Sequence, residues 1–250
     1  MCYNILYIYK MAVLKLKSNI NYSIINKYTA CFKNKELEND FSENEVNNIV
    51  KKIKYALLSL GFFYMLFIIP DSMYLNNAKA FNFVLADRLL FFVLIVIFYF
   101  RLNKSATFKF YYKWLTICEF LLTVFFIAII FCYKNGDFLL QTYGLILILL
   151  IIFVIPNKWL NSLITSLSIS IVFFVVSSII YKDVLYRQYS GAVVYTLAAL
   201  ILCSIYSYAI NRYKRINYYN SKELLRISTT DSLTGIYNRT YFDQVLTEYV

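Results

Sequence analysis

No histidine occurs among the 250 residues. Imidazole metal ligands, imidazole-held haem and histidine general bases are therefore excluded from this chain. Backbone breakers are scarce, with two prolines and five glycines, so little interrupts its apolar stretches. Charge is sparse as well, at 16% of residues against about a quarter in soluble domains. The cysteines (Cys2, Cys31, Cys118, Cys132 and Cys203) are odd in number, include no CxxC pair, and three of them lie inside apolar runs. Neither a disulfide framework nor a zinc site follows.

What the chain has in excess is apolar: 60% hydrophobic residues, 20% of the total being aromatic. The excess sits in long runs such as Gly144 to Pro156 and Ile169 to Tyr181. Six windows emerge, at about 55–75, 81–100, 114–133, 138–156, 160–181 and 190–210. Each is close to the ~20 residues that a helix needs to cross a hydrocarbon layer of ~30 Å. A backbone in lipid has to satisfy its own hydrogen bonds, which favours helices. The alternation of a membrane barrel is missing. The expected fold class is all-α, a polytopic membrane protein with about six transmembrane helices. No internal repeat is visible, so a two-half transporter is not supported.

The net charge of +11 would suggest nucleic acid on a soluble domain. Here the basic residues flank apolar runs, where they act as topology signals and headgroup contacts, and no nucleic-acid partner is expected. One side of the six windows collects eleven of them: Lys51, Lys52, Lys54, Arg101, Lys104, Lys109, Lys113, Lys158, Arg212, Lys214 and Arg215. The other side has four, Lys79, Lys134, Lys182 and Arg187. The richer side is expected to be cytoplasmic, with both termini inside and the lipid bilayer as the main partner. Met1 to Leu14 lacks a basic n-region and a small-residue cleavage site, so it makes a poor signal peptide, and Met11 is an alternative start.

Charged residues inside apolar windows are costly and invite two readings. Asp87 and Arg88 lie a turn or two inside the outer end of the second window, and Asp71 lies at the outer end of the first. A paired Asp71–Arg88 is either a ligand- or ion-sensing pocket or, more plainly, an interfacial pair that fixes helix packing. Glu119, near the inner end of the third window, is either a proton-sensitive site or a side chain reaching the cytoplasmic interface. Ser162, Thr165, Ser166, Ser168 and Ser170 recur along one window. They read as small groups for close helix packing before they read as a polar pore.

Beyond the sixth window, Ile210, Tyr213, Asn217, Asn220, Leu224 and Ile227 step by three and four, a heptad seam of about two and a half repeats. A solvated juxtamembrane helix would look the same. The stretch Thr230-Asp231-Ser232-Leu233-Thr234-Gly235-Ile236-Tyr237-Asn238-Arg239 follows. Gly235 suits a turn, Asn238 suits the N-cap of a new helix, and Phe242, Val245, Leu246 and Tyr249 give that helix an apolar face. Asp231 and Arg239 are placed to pair across the turn.

This stretch resembles the entry of the GGDEF-type diguanylate cyclase domain, D-x-L-T-G-(L/I)-x-N-R-x-x-F. The matching positions are Asp231, Leu233, Thr234, Gly235, Ile236, Asn238, Arg239 and Phe242. A second, weaker resemblance covers Phe32, Glu36, Leu37, Glu38, Phe41 and Asp71, which are similar to the six-helix sensory module preceding some bacterial nucleotide cyclases. The resemblance implies 1–54 as a cytoplasmic N-terminal segment, 55–210 as a six-helix sensor module, 211–229 as a helical signalling linker and 230–250 as the truncated start of a GGDEF domain with its first helix. In the family, two GTP molecules become cyclic di-GMP with Mg²⁺, in a homodimer formed through the linker and cyclase domain at the bacterial inner membrane. No Gly-Gly-Asp/Glu-Glu-Phe run occurs here. The expectation is therefore a catalytically silent chain with no cofactor, metal ligand or GTP contact of its own, the entry residues being carried over as structure only. The alternative is a non-enzymatic multipass protein, either a small transporter or a membrane module that binds partners.

Overall fold

The computed structural model describes residues 24–104, 108–133, 138–182, 184–230, 234, 236–238 and 241–242. Met1, Met11 and Cys2 lie outside the described residues. Among the described residues the structure is helical, with two isolated antiparallel bridges, Ile25 to Phe32 and Thr230 to Tyr237, and no named strand.

The first helix, α1 (Lys35–Leu66), starts on a side-chain cap. Asn34 Oδ1 accepts the N–H groups of Glu36 at 2.8 Å and Leu37 at 3.4 Å, satisfying donors that the first turn leaves free. Glu36 and Glu38 put negative charge at its positive end. After Phe67 the chain re-enters α2 (Ile68–Tyr74), whose Pro70 sits in the first turn, where the missing N–H costs little. There follow α3 (Ala78–Lys104), α4 (Phe108–Ile130), α5 (Phe138–Val154), α6 (Trp159–Ile180) and α7 (Tyr186–Thr229).

The chain is a multipass membrane protein. Five segments are long and apolar enough to cross a bilayer: Ile53–Tyr74, Ala78–Leu102, Phe108–Ile130, Trp159–Ile180 and the apolar part of the 44-residue α7. The remaining window, 138–156, forms the 17-residue α5, about 26 Å long at the usual helical rise. Pro156 and Asn157 close it early, with the Lys158 N–H turned onto Asn157 Oδ1 at 2.8 Å.

Two compact units divide the chain: residues 42–209, and the two chain ends (up to Phe41 and from Ile210) together. In the larger unit α4 is central, packing on α3, α5 and α6. Its core is aromatic and branched-aliphatic. Phe126 stacks on Phe173 with centroids 6.2 Å apart, and Phe138 stacks on Tyr189 at 5.7 Å. The outward faces carry large apolar side chains such as Ile171, Ile179 and Leu202. Water would not tolerate so much contiguous apolar surface; acyl chains do. On α6 the Ser/Thr row divides: Ser168 is exposed and donates to the Ile164 carbonyl of its own helix at 2.8 Å, while the other four turn inward. Ser162, Thr165, Ser166 and Ser170 are buried, and Thr165 and Ser170 turn their hydroxyls onto carbonyls of their own helix at 3.0 and 2.8 Å.

The smaller unit joins segments that the sequence reading kept apart. Ile25, Phe32 and Phe41 form a cluster against Ile216, Tyr218 and Tyr219 of α7. Arg215, 2% exposed, is held there by both oxygens of Glu38, at 2.6 and 2.9 Å. Its guanidinium lies 4.6 Å from the Phe41 ring centroid. The same Glu38 accepts the N–H of Phe32 at 2.9 Å, and Lys222 pairs with Asp40 at the surface.

Candidate functional site

Three elements of the larger unit converge on the expected charged pair. Pro70 and the first turn of α2 place Asp71, α3 places Asp87 and Arg88, and the end of α1 supplies Tyr64 and Phe67. Arg88 Nε donates to Asp71 Oδ2 at 2.5 Å, with both side chains under 8% exposed. The Tyr133 hydroxyl, just past α4, donates to the other Asp71 oxygen. Arg88 Nη1 donates to the Tyr64 carbonyl at 3.1 Å. The guanidinium also lies over two rings, 4.8 Å from the Tyr64 centroid and 5.6 Å from that of Phe67. Asp87 stands behind this pair and accepts the Tyr64 hydroxyl at 3.1 Å. A buried ion pair survives only when its remaining donors and acceptors are met, and Tyr64 and Tyr133 meet most of them.

The pair forms one wall of a cavity of about 170 Å³. Gln141 of α5 reaches the same cavity. Its side chain is 94% buried, being 6% exposed, and makes no hydrogen bond to any described residue. Most of the remaining lining is apolar, including Phe126, Leu140, Gly144 and Leu147, with Tyr64, Tyr133 and Tyr143 among it. Chemically, such a space can hold a small molecule and orient it through few polar groups.

Glu119 does not reach a surface. It is 0% exposed, and its Oε1 accepts Asn157 Nδ2 at 3.1 Å and the Ser162 hydroxyl at 3.2 Å. Its Oε2 has no hydrogen-bond partner among the described residues. Asn157 also donates to Thr116 Oγ1 at 2.9 Å, so the carboxyl ties α4 to the α5–α6 turn and to the start of α6. Among the described residues no group of three metal-ligating side chains gathers here or elsewhere.

Of the C-terminal motif, Thr234, Ile236, Asn238 and Phe242 are described; Asp231, Leu233, Gly235 and Arg239 lie outside the described residues. Asn238 performs the capping its residue type suggested. Its Oδ1 accepts the Tyr241 N–H at 2.9 Å, its own N–H donates to the Thr229 carbonyl at 2.8 Å, and its Nδ2 donates to the Ser228 carbonyl at 2.6 Å. The turn is thereby tied back to the end of α7. Thr234 Oγ1 accepts the Ile236 N–H at 3.5 Å.

Sequence reasoning passed over Tyr133, Gln141, Asn157 and the Glu38–Arg215 fork. Gln141 carried a usable signal, as a lone amide inside an otherwise apolar run. Comparison with models of known families and with curated proteins returns no match.

Proposed function

We propose that the chain is the membrane sensory part of a GGDEF-type diguanylate cyclase. It would lie in the bacterial inner membrane with six spans, α5 included, and with both termini in the cytoplasm. The observation that carries the reading is the run from Asp231 to Phe242, with the entry pattern D-x-L-T-G-I-x-N-R-x-x-F. It follows directly on a helix that continues unbroken from the last apolar window to Thr229. Support comes from Asn238, whose side chain accepts the Tyr241 N–H and fastens the turn to Ser228, a structural role suited to a domain entry. The buried Asp71–Arg88 pair and its cavity supply a place where a signal could act. The seam residues Tyr213, Leu224 and Ile227 are exposed, and homodimerisation through them would bring two cyclase domains together.

The test is the genomic DNA beyond the codon for Val250, read in all three frames. A GGDEF loop within about 150 codons, one domain length, supports the reading. A clean stop with no such remnant leaves the non-enzymatic membrane protein. The 250 residues alone, given GTP and Mg²⁺, should yield no cyclic di-GMP; product from them would overturn the view that the catalytic groups lie elsewhere.

A further inference from the structure

The geometry points to the cavity between α1, α3, α4 and α5 as a binding site for a small uncharged molecule. That molecule is apolar over most of its surface and carries one carbonyl or hydroxyl oxygen. The inference rests on the reading of the helical bundle as a sensory module, and it names the class of signal.

Size comes first. At about 170 Å³ the space is close to the roughly 150 Å³ apolar cavity that takes up benzene. It suits a single substituted ring or a short branched chain, not a nucleotide or a peptide. Charge comes next. The only ionisable pair on the wall, Asp71 and Arg88, is internally neutralised, and both Asp71 oxygens are occupied. A charged ligand would enter a dehydrated space with no counter-charge to meet it, which is costly. An uncharged one meets no such penalty.

Hydrogen bonding then selects the oxygen. Gln141, more than nine-tenths buried, has an amide with no partner among the described residues. Arg88 uses Nε and Nη1, and its Nη2 makes no hydrogen bond among the described residues. Neither group is among the enclosed polar atoms that lack a partner, so both open onto the cavity that their residues line. An oxygen on the ligand would offer the Gln141 amide an acceptor. Access is from the side. Phe63, Tyr143 and Leu147 line the cavity and are also 59, 59 and 44% exposed on the apolar outer face. The ligand therefore arrives dissolved in the bilayer.

The experiment uses the full chain in phosphatidylcholine nanodiscs, titrated by fluorine NMR, with empty nanodiscs correcting for partition. The probe is para-fluoroacetophenone, and para-fluoroethylbenzene is the matched compound without the oxygen. Saturable binding of the ketone is expected, roughly tenfold tighter than the hydrocarbon, the worth of one hydrogen bond. Gln141→Leu should remove most of that difference, and Leu140→Trp should displace both compounds. Equal binding of the two by the unaltered protein would mean that the cavity takes acyl chains or any apolar solute, and would overturn the proposal. So would the lack of saturable binding. Neither result bears on the cyclase reading, which the downstream DNA decides separately.

Discussion

At the scale of single residues, Asp71 and Glu119, two of the three buried carboxylates among the described residues of the membrane region, differ in what surrounds them, and so in what their loss would do. Asp71 faces a cation, so Asp71→Asn or Arg88→Met alone strands a buried charge. Each single change should cost about 3–5 kcal/mol. The double variant Asp71→Asn/Arg88→Met should cost less than the sum of the two. Thermal melting of the four proteins in lipid gives the coupling, and additive losses would mean that the pair makes no net contact. Glu119 faces only neutral donors, Asn157 and Ser162. Glu119→Gln keeps an acceptor for both and replaces the carboxyl by an amide that cannot ionise in the dehydrated site. It should leave the melting temperature unchanged or raise it, with a gain of up to about 2 kcal/mol. A clear loss would show that the ionised group is needed by something outside the described residues.

The helices themselves invite a test through their glycines. A Cβ on Gly61 of α1 would meet Phe92 Cδ2 at 3.1 Å and Ile95 Cγ2 at 3.2 Å, whereas one on Gly191 of α7 would find its nearest atom at 3.9 Å. Gly61→Leu should push α1 off α3 and cost about 1–3 kcal/mol. Gly191→Ala should stabilise α7 by about 0.5–1 kcal/mol. The reverse order in a melting series would contradict the packing of α1 on α3. Most of the helices were legible in advance because lipid imposes one strong rule, a long apolar run that closes its own hydrogen bonds. The windows at 81–100 and 160–181 match α3 and α6 closely, whereas 114–133 starts six residues late on α4 and 190–210 covers less than half of α7. The early end of α5 was harder to foresee, because it depends on Pro156 and on an Asn157 side chain that engages the turn and Glu119 together. The Asp71–Arg88 pair was readable because charge inside an apolar run has few possible partners. Tyr133 is not legible in the sequence, since a hydroxyl at a helix end acquires meaning only once the helices meet, whereas the lone amide of Gln141 is a signal but does not name its neighbours. Arg215 was read as a topology charge, and its burial against Glu38 depends on a contact 177 positions away in sequence.

On the scale of the whole molecule, the eleven-to-four division of basic residues leads to a topology experiment. Reporter fusions at Lys109 and Arg215 should read as cytoplasmic, and fusions at Lys134 and Lys182 as external. The opposite pattern would reject the charge-based orientation. The chain-end unit has its own test. Glu38→Gln removes the charge that faces the buried Arg215, while Asn211, Cys31 and the Phe41 ring stay beside it. It should speed hydrogen exchange across residues 32–41, with a loss of about 3 kcal/mol in that unit; unchanged exchange would mean that the fork contributes nothing. The fork also has a practical side. Anyone shortening this protein for expression would be tempted to begin at the first greasy helix and discard the polar leader as dispensable. Doing so would strip a guanidinium near the far end of the chain of its counter-ion and of the aromatic ring beneath it. The shortened product should therefore express poorly because Arg215 has lost a partner 177 positions away in sequence.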